Sequence, residues 1–326
     1  MSIQKIARLA GVSVATVSRV LNNQGSVKQK NREKVLLAIK ESNYQPNLLA
    51  RQLRTAKSKM LLVLVSNIAN PFCADVVKGI EAEAERNGYH ILLCDTDSNL
   101  ERSKSSLVLL AGKMVDGVIT MDALSNLPEL SALIGNSPWV QCAEYADITE
   151  VSSVGINDRQ AARFAIKQFI KQKRERIAMI NHDLHYKYAK LREQGYREIL
   201  NEHSFGYLSV AYATELSYLS GRDAMCSLLN GNNKPDAVFT VSDILAVGAL
   251  RAIQDSGLKV PEDIALIGFD GMELCNMTTP QLSTIQQPSR EIGRRAVNLL
   301  IEKIENPDSL PQKTILDWSF IQRESS

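Results

Sequence analysis

From Met60 onward the chain repeats one rhythm twice, and that rhythm narrows its fold more than any other feature. Short apolar, β-rich runs occur as LLVLV at 61–65, HILLCD at 90–95, DGVIT at 116–120 and WVQCA at 139–143. They recur as RIAMI at 176–180, AVFTV at 237–241 and IALIGF at 264–269, with amphipathic stretches such as 74–87 and 159–171 between runs. Strand-length apolar runs alternating with helical periodicity specify parallel sheets built from βαβ units. The expected body is therefore α/β, two lobes each carrying a doubly wound parallel sheet. Ligands of such sheets sit beyond the carboxyl ends of the strands. No Gly-x-Gly-x-x-Gly follows the first strand and no Gly-Lys-Ser/Thr loop is present, so neither a dinucleotide nor a nucleoside triphosphate site is read.

The first 57 residues differ in kind. They hold eleven lysines and arginines against only Glu33 and Glu41, a charge of +9, which leaves −7 on the rest of a chain whose total is +2. A basic head on an acidic body is the footprint of a polyanion-binding module joined to something that should not stick to polyanions. The pattern within the head is specific. The spacing predicts helices over 3–10 and 14–21 with a Gly11-Val12-Ser13 turn between them, which is helix-turn-helix spacing. Gly11 supplies a positive φ and the Ser13 hydroxyl a cap. Val17, Val20 and Leu21 face inward, leaving Val14, Ala15, Thr16, Ser18 and Arg19 outward. A third helix is expected over 29–42, with Val35, Leu36, Ala38 and Ile39 inside.

Bulk features exclude other classes. No apolar stretch approaches the roughly 18 residues of a membrane helix, and the N-terminus lacks the apolar core of a secretory signal; a cytoplasmic protein is expected. The five cysteines are scattered without CxxC spacing, so no disulfide and no zinc site is read. His182, Asp183 and His185 lack further ligands in reach and are read as solvated rather than as a metal site. There is no Gly-x-Ser-x-Gly elbow and no nucleophile–base set, so the chain is not read as an enzyme, and no cofactor is expected.

The segment IARLAGVSVATVSRVLN, followed by REKVLLAIKESNYQPNLLARQL, resembles the head and hinge of LacI/GalR-family transcriptional repressors. The resemblance implies a head over 1–45, a hinge helix and linker over 46–59, and over 60–326 an effector-binding and dimerisation core like the periplasmic binding proteins. It places Val14, Ala15 and Arg19 at base-reading positions, with Ser13, Thr16, Ser18, Asn22, Lys28, Asn47 and Ala50 also on DNA. Leu53 stands where the family drives a wedge into the minor groove. Lys28 departs from the serine that commonly caps the third helix in relatives.

Landmarks of the family's core are Asn70-Pro71-Phe72, Arg192-x-x-Gly195-Tyr196, Ser242-Asp243 through Gly248, and Val260-Pro261-Glu262-Asp263 leading into Asp270. By resemblance the effector contacts are Phe72, Glu144, Arg192, Ser242 and Asp270. An aromatic face, carboxylates and one guanidinium suit a polyol or nucleoside. Ser242-Asp243 replaces the Asn-Asp pair of sugar-responsive members, and VPEDIALIGFD with LSTIQQP is similar to the cytidine-responsive branch; a nucleoside is therefore the first expectation. The Val14-Ala15 pair, shared with galactose-type members, keeps a sugar as the alternative. The implied function is a homodimeric repressor on double-stranded operator DNA, controlled by a small molecule; no leucine heptad follows the last expected strand, so a dimer is expected rather than a tetramer. An architectural DNA-binding protein is the remaining alternative, and it would leave the patterned core without a task.

Overall fold

A computed structural model of the chain describes residues 2–21, 25, 27–42, 57–121, 127–144 and 149–326. It divides into a small unit, Met1–Ser58, and a large one, Lys59–Ser326.

In the small unit α1 (Ile3–Ala10), α2 (Val14–Leu21) and α3 (Gln29–Glu41) share one core. Ile6, Ala7 and Ala10 meet Val17, Val20, Val35 and Ala38 there. The helices begin and stop where local chemistry dictates. Ser2 caps α1 by accepting from the Lys5 amide, and Gly11 closes it with φ of 62°. Ser13 caps α2, its hydroxyl accepting from the Thr16 amide at 3.1 Å. Lys28 stands at the N-cap of α3 with no side-chain hydrogen bond. Leu36, expected inside, is half exposed: next to buried Val35, it is turned about 100° away on a helix of 3.6 residues per turn.

The large unit has two lobes, each a six-stranded sheet. In the first, β1 (Met60–Val65), β2 (His90–Asp95), β3 (Gly117–Met121), β4 (Trp139–Cys142), β5 (Ser152–Ile156) and β11 (Lys313–Leu316) lie in the order 2-1-3-4-5-11, all parallel. In the second, β6 (Ile177–Asn181), β7 (Ser209–Tyr212), β8 (Ala237–Thr240), β9 (Ala265–Asp270), β10 (Ser283–Gln286) and β12 (Ser319–Ile321) lie in the order 7-6-8-9-10-12. Only β12 runs antiparallel, against β10. The order reverses between β1 and β3 and again between β6 and β8, and each reversal opens the crevice where doubly wound sheets take ligands.

The intervening helices are α4 (Pro71–Arg86), α5 (Leu100–Ala111), α6 (Leu127–Ile134), α7 (Asp158–Lys171), α8 (Lys187–Glu202), α9 (Tyr218–Leu229), α10 (Asp243–Asp255) and α11 (Ser289–Glu305). Three helix pairs, α4 with α11, α7 with α8 and α9 with α10, approach so closely that only glycine fits. A Cβ on Gly79 of α4 would lie 2.2 Å from the Arg290 carbonyl oxygen, and one on Gly248 of α10 would lie 2.1 Å from that of Tyr218. The chain passes between lobes three times: from β5 into α7, from β10 into α11, and from β11 to β12. Among the described residues no helix is long and apolar enough to cross a membrane.

Candidate functional site

In the small unit the outward face of α2 is built as the pattern requires. Ser13, Val14, Ala15 and Arg19 are exposed, Thr16 and Ser18 are half-buried at its margin, and Val17 and Val20 are buried behind them. The Ser13 and Thr16 hydroxyls lie 2.9 Å apart, which fixes the first turn of that face. Lys28 is exposed. Asn22, Asn47, Ala50 and Leu53 lie outside the described residues.

A cavity of about 360 Å³ lies between the two lobes, at the strand carboxyl ends where both sheets reverse order. Phe72, Glu144, Arg192, Ser242 and Asp270 all line it. Phe72 is carried there by the start of α4, where Pro71 fills the first turn and the Asn70 side chain accepts from the Phe72 amide at 3.0 Å. On the opposite lobe, Asp270 ends β9 with φ of 112°, a conformation that costs a non-glycine residue about 1–3 kcal/mol and must be held by its partners. Those partners are the Ser242 hydroxyl, donating at 2.9 Å, and the Gln287 amide, donating at 2.8 Å.

Arg192 projects from α8 and is buried. Its Nε and Nη2 donate to the same oxygen of Asp158, at 2.8 and 2.7 Å. Nη1 donates to the Val241 carbonyl at 2.5 Å and stands 3.8 Å from Asp270. The guanidinium also lies 3.4 Å over the Phe269 ring and 4.9 Å over that of Tyr188. Neighbouring Glu193 does not pair with it but bonds Arg197, Asn181 and Tyr212.

Glu144, at the end of β4, reaches across to the other lobe. Its carboxylate accepts from the Lys187 amide at 2.6 Å and the Tyr188 amide at 3.4 Å, at the start of α8, whose own N-cap residue Tyr186 makes no side-chain cap. The Tyr186 hydroxyl donates to Ser98 of the first lobe at 3.0 Å. Both contacts close the lobes over the cavity. His182 is buried in the cavity wall rather than solvated, its Nδ1 2.8 Å from the Tyr188 hydroxyl and its ring 4.8 Å from that of Tyr186. Burial pulls its pKa below the usual imidazole range, which favours the neutral ring, and the imidazole supplies an aromatic surface. His185 is exposed and 3.2 Å from Asp183.

Sequence reasoning missed Asp158, Gln287, Tyr186 and Tyr188. For Tyr188 a signal was present, since it precedes Arg192 by four residues and so shares its helix face. For the other three the signal is tertiary.

The acids of the cavity are costly to ionise. Burial pushes Glu144 up to about 7, against the lowering effect of the amides of α8. Burial also raises Asp270, opposed chiefly by Arg192, and raises Asp243 behind it, where Asp270 adds to the effect. A carboxyl raised in the folded state keeps a proton that the unfolded chain has released, so its contribution is full below the unfolded pKa and is lost as pH rises through the folded one. For Glu144 that window runs from about 4.5 to about 7. The thermal midpoint of the wild type, relative to Glu144→Gln, is expected to fall by several degrees between pH 5 and 8, corresponding to roughly 2–3 kcal/mol. A constant difference across that range would place Glu144 in water.

Comparisons agree with this architecture. Residues 2–47 match the model of bacterial regulatory proteins of the lacI family, and residues 166–326 match the periplasmic binding protein-like domain. The ribose operon repressor of Haemophilus influenzae is 33% identical, the alignment covering 99% of this chain and 98% of that protein. A crystal structure of an uncharacterised protein from Actinobacillus succinogenes is 55% identical, with a TM-score of 0.80 over 83% of this chain and all of that one. The lac repressor dimer bound to operator and the anti-inducer ONPF is 28% identical and superposes with a TM-score of 0.91 over 100% of this chain and 98% of its own. With a helix-turn-helix head, a two-lobed core and this likeness along its whole length, the chain belongs to the LacI family of bacterial regulatory proteins, DNA-binding repressors under small-molecule control and not enzymes.

Proposed function

We propose that this chain represses transcription as a homodimer on a near-palindromic operator in the cytoplasm, and that its effector is a nucleoside bound between the lobes. Residues 1–45 form the head, 46–59 the hinge and 60–326 the effector-binding core. Two-fold symmetry of the dimer matches two half-sites. Val14 and Ala15 offer only apolar surface, suited to a thymine methyl, while Arg19 supplies the guanidinium that guanine takes bidentately. Ser13, Thr16, Ser18, Asn22 and Lys28 reach backbone or neighbouring edges, and Asn47, Ala50 and Leu53 enter the minor groove.

The cavity supports the effector reading. Its volume, about 360 Å³, lies near the small end of the range for ligand pockets. Arg192, Asp270 and Glu144 offer donors and acceptors for ribose hydroxyls, and the cluster of His182, Tyr186 and Tyr188, with Phe72 opposite, offers aromatic faces for a base. A free pentose is the second reading, favoured by likeness to a ribose operon repressor. Effector occupancy changes how the lobes close, and through the dimer changes whether the hinges pair on DNA.

A thermal-shift screen against adenosine, cytidine, D-ribose and D-galactose tests the reading, because a ligand of the native state raises its midpoint. A shift with nucleosides alone supports the first reading, a shift with D-ribose alone the second, and a shift with D-galactose alone overturns both. For the DNA arm, Leu53→Ala is expected to weaken operator binding about tenfold, as a lost minor-groove wedge should, with no change in the core's midpoint. Unchanged operator affinity would remove Leu53 from the wedge position.

A further inference from the structure

Among the described residues that line the cavity, Arg192 is the one lysine or arginine, and much of its guanidinium is already engaged. Arg192 rests on the Phe269 ring, donates to the Val241 carbonyl and faces Asp270, all from its own lobe. Its remaining partner, Asp158, comes from a different place. Asp158 is the first residue of α7, at the first passage between the lobes, directly after β5 and the Asn157 cap. One of its oxygens takes both Nε and Nη2 of Arg192, at 2.8 and 2.7 Å, and both side chains are about nineteen-twentieths buried, at 5% and 6% exposure. A planar guanidinium held through two of its adjacent N–H donors by one carboxylate oxygen is fixed in orientation as well as position.

We propose that Asp158 is a positioning residue: it sets the plane of Arg192 for the effector and carries the effect of occupancy to the inter-lobe passage. The proposal rests on the reading of the cavity as the effector site. An effector oxygen that takes a hydrogen bond from Arg192 competes with Asp158 for the same cation. The resulting displacement acts on the first turn of α7, where the chain leaves β5 and the lobes pivot. Asp270 has a parallel tie to the second passage through Gln287, but only Asp158 brings a charge from a passage to the basic group. Burial raises the Asp158 carboxyl above its usual range, opposed by the charges of Arg192 and Lys187, and its own charge makes Glu144 and Asp270 harder to ionise.

The test uses the full chain as wild type, Asp158→Asn, Asp158→Glu, Arg192→Gln and the double variant Asp158→Asn/Arg192→Gln, titrated calorimetrically with adenosine and with D-ribose. For whichever probe the wild type takes, Asp158→Asn is expected to bind about tenfold more weakly or worse. Asp158→Glu should regain part of that loss, and the double variant should bind no worse than Arg192→Gln alone, since Asp158 acts through Arg192. Wild-type affinity in Asp158→Asn, or losses that add in the double variant, would overturn the proposal while leaving the effector reading intact. If Asp158→Asn does not fold, comparing Arg192→Gln with the double variant decides the same point.

If the wild type takes neither probe, the effector reading fails for both classes, and a ligand-free measurement decides the role of Asp158. Its charge contributes to the raised titration of Glu144 and Asp270. Removing it, in whichever background folds, is expected to shrink the fall in midpoint between pH 5 and 8. A purely structural role would lower the midpoint equally at every pH, and parallel profiles would overturn the proposal.

Discussion

Arg192→Ala is expected to lower the thermal midpoint by about 10 °C and to abolish the effector response. The physical reason is asymmetry. The guanidinium is buried, and its removal leaves Asp158 and Asp270 in the interior without their cation. Breaking a buried pair by deleting one partner costs about 3–5 kcal/mol, far more than an intact pair contributes over an apolar replacement. At the same time Phe269 loses the cation stacked on its face, and the effector loses the one lysine or arginine among the described residues that line the cavity. Operator binding by the folded variant is expected to remain, because the head has a separate core. Thermal unfolding with and without effector, beside operator titration, checks all three. A variant with the wild-type midpoint would mean that the two acids do not depend on Arg192, and an intact effector response would remove it from the site.

Gly248→Ala is expected to destabilise the core by about 3 kcal/mol, although it adds a single methyl group to a helix and alanine is the better helix former. The added carbon would lie 2.1 Å from the Tyr218 carbonyl oxygen and 2.6 Å from the Arg222 amide, both backbone atoms that cannot swing aside. Gly221 on α9 meets α10 in the same way, 2.4 Å from the Leu245 carbonyl oxygen, so the helices touch through two glycines and must separate if either gains a side chain. Separation would also move the start of α10, where Ser242 and Asp243 support Asp270 and the amide of Met272. A fall in midpoint of roughly 10 °C, with a weakened effector response, is expected in unfolding and binding measurements. An unchanged midpoint would show that the helices are not in contact at that spacing.

Much of this arrangement was legible in the chain. The helices of the head stand where their caps and periodicity put them, because Ser2, Gly11 and Ser13 act within a few residues of themselves. Strands β1, β3, β6, β8 and β9 were visible as apolar runs because central strands of a parallel sheet are covered on both faces. Strands β5, β7, β10, β11 and β12 were not. The last two are short and only partly buried, and β7 is an edge strand of four residues, so none of these three carries a continuous apolar signal. Leu36 illustrates the limit of pattern on a short helix, where one position too many was assigned to the inward face.

The candidate site divides in the same way. Phe72, Glu144, Arg192, Ser242 and Asp270 were nominated by resemblance, and the fold brings all five to one cavity. What the sequence by itself determined was the alternation of the central strands with helices, and the basic head with its three helices, because these follow from periodicity, charge and capping within short windows. Only the tertiary structure decided that Asp158 and not Glu193 neutralises Arg192, that Gln287 steadies Asp270, and that Glu144 caps a helix of the opposite lobe. Those partners lie 17 to 43 residues apart along the chain: Asp270 and Gln287 meet because β9 and β10 pair side by side, Asp158 and Arg192 because α7 packs on α8, and Glu144 and Lys187 because the two lobes face each other.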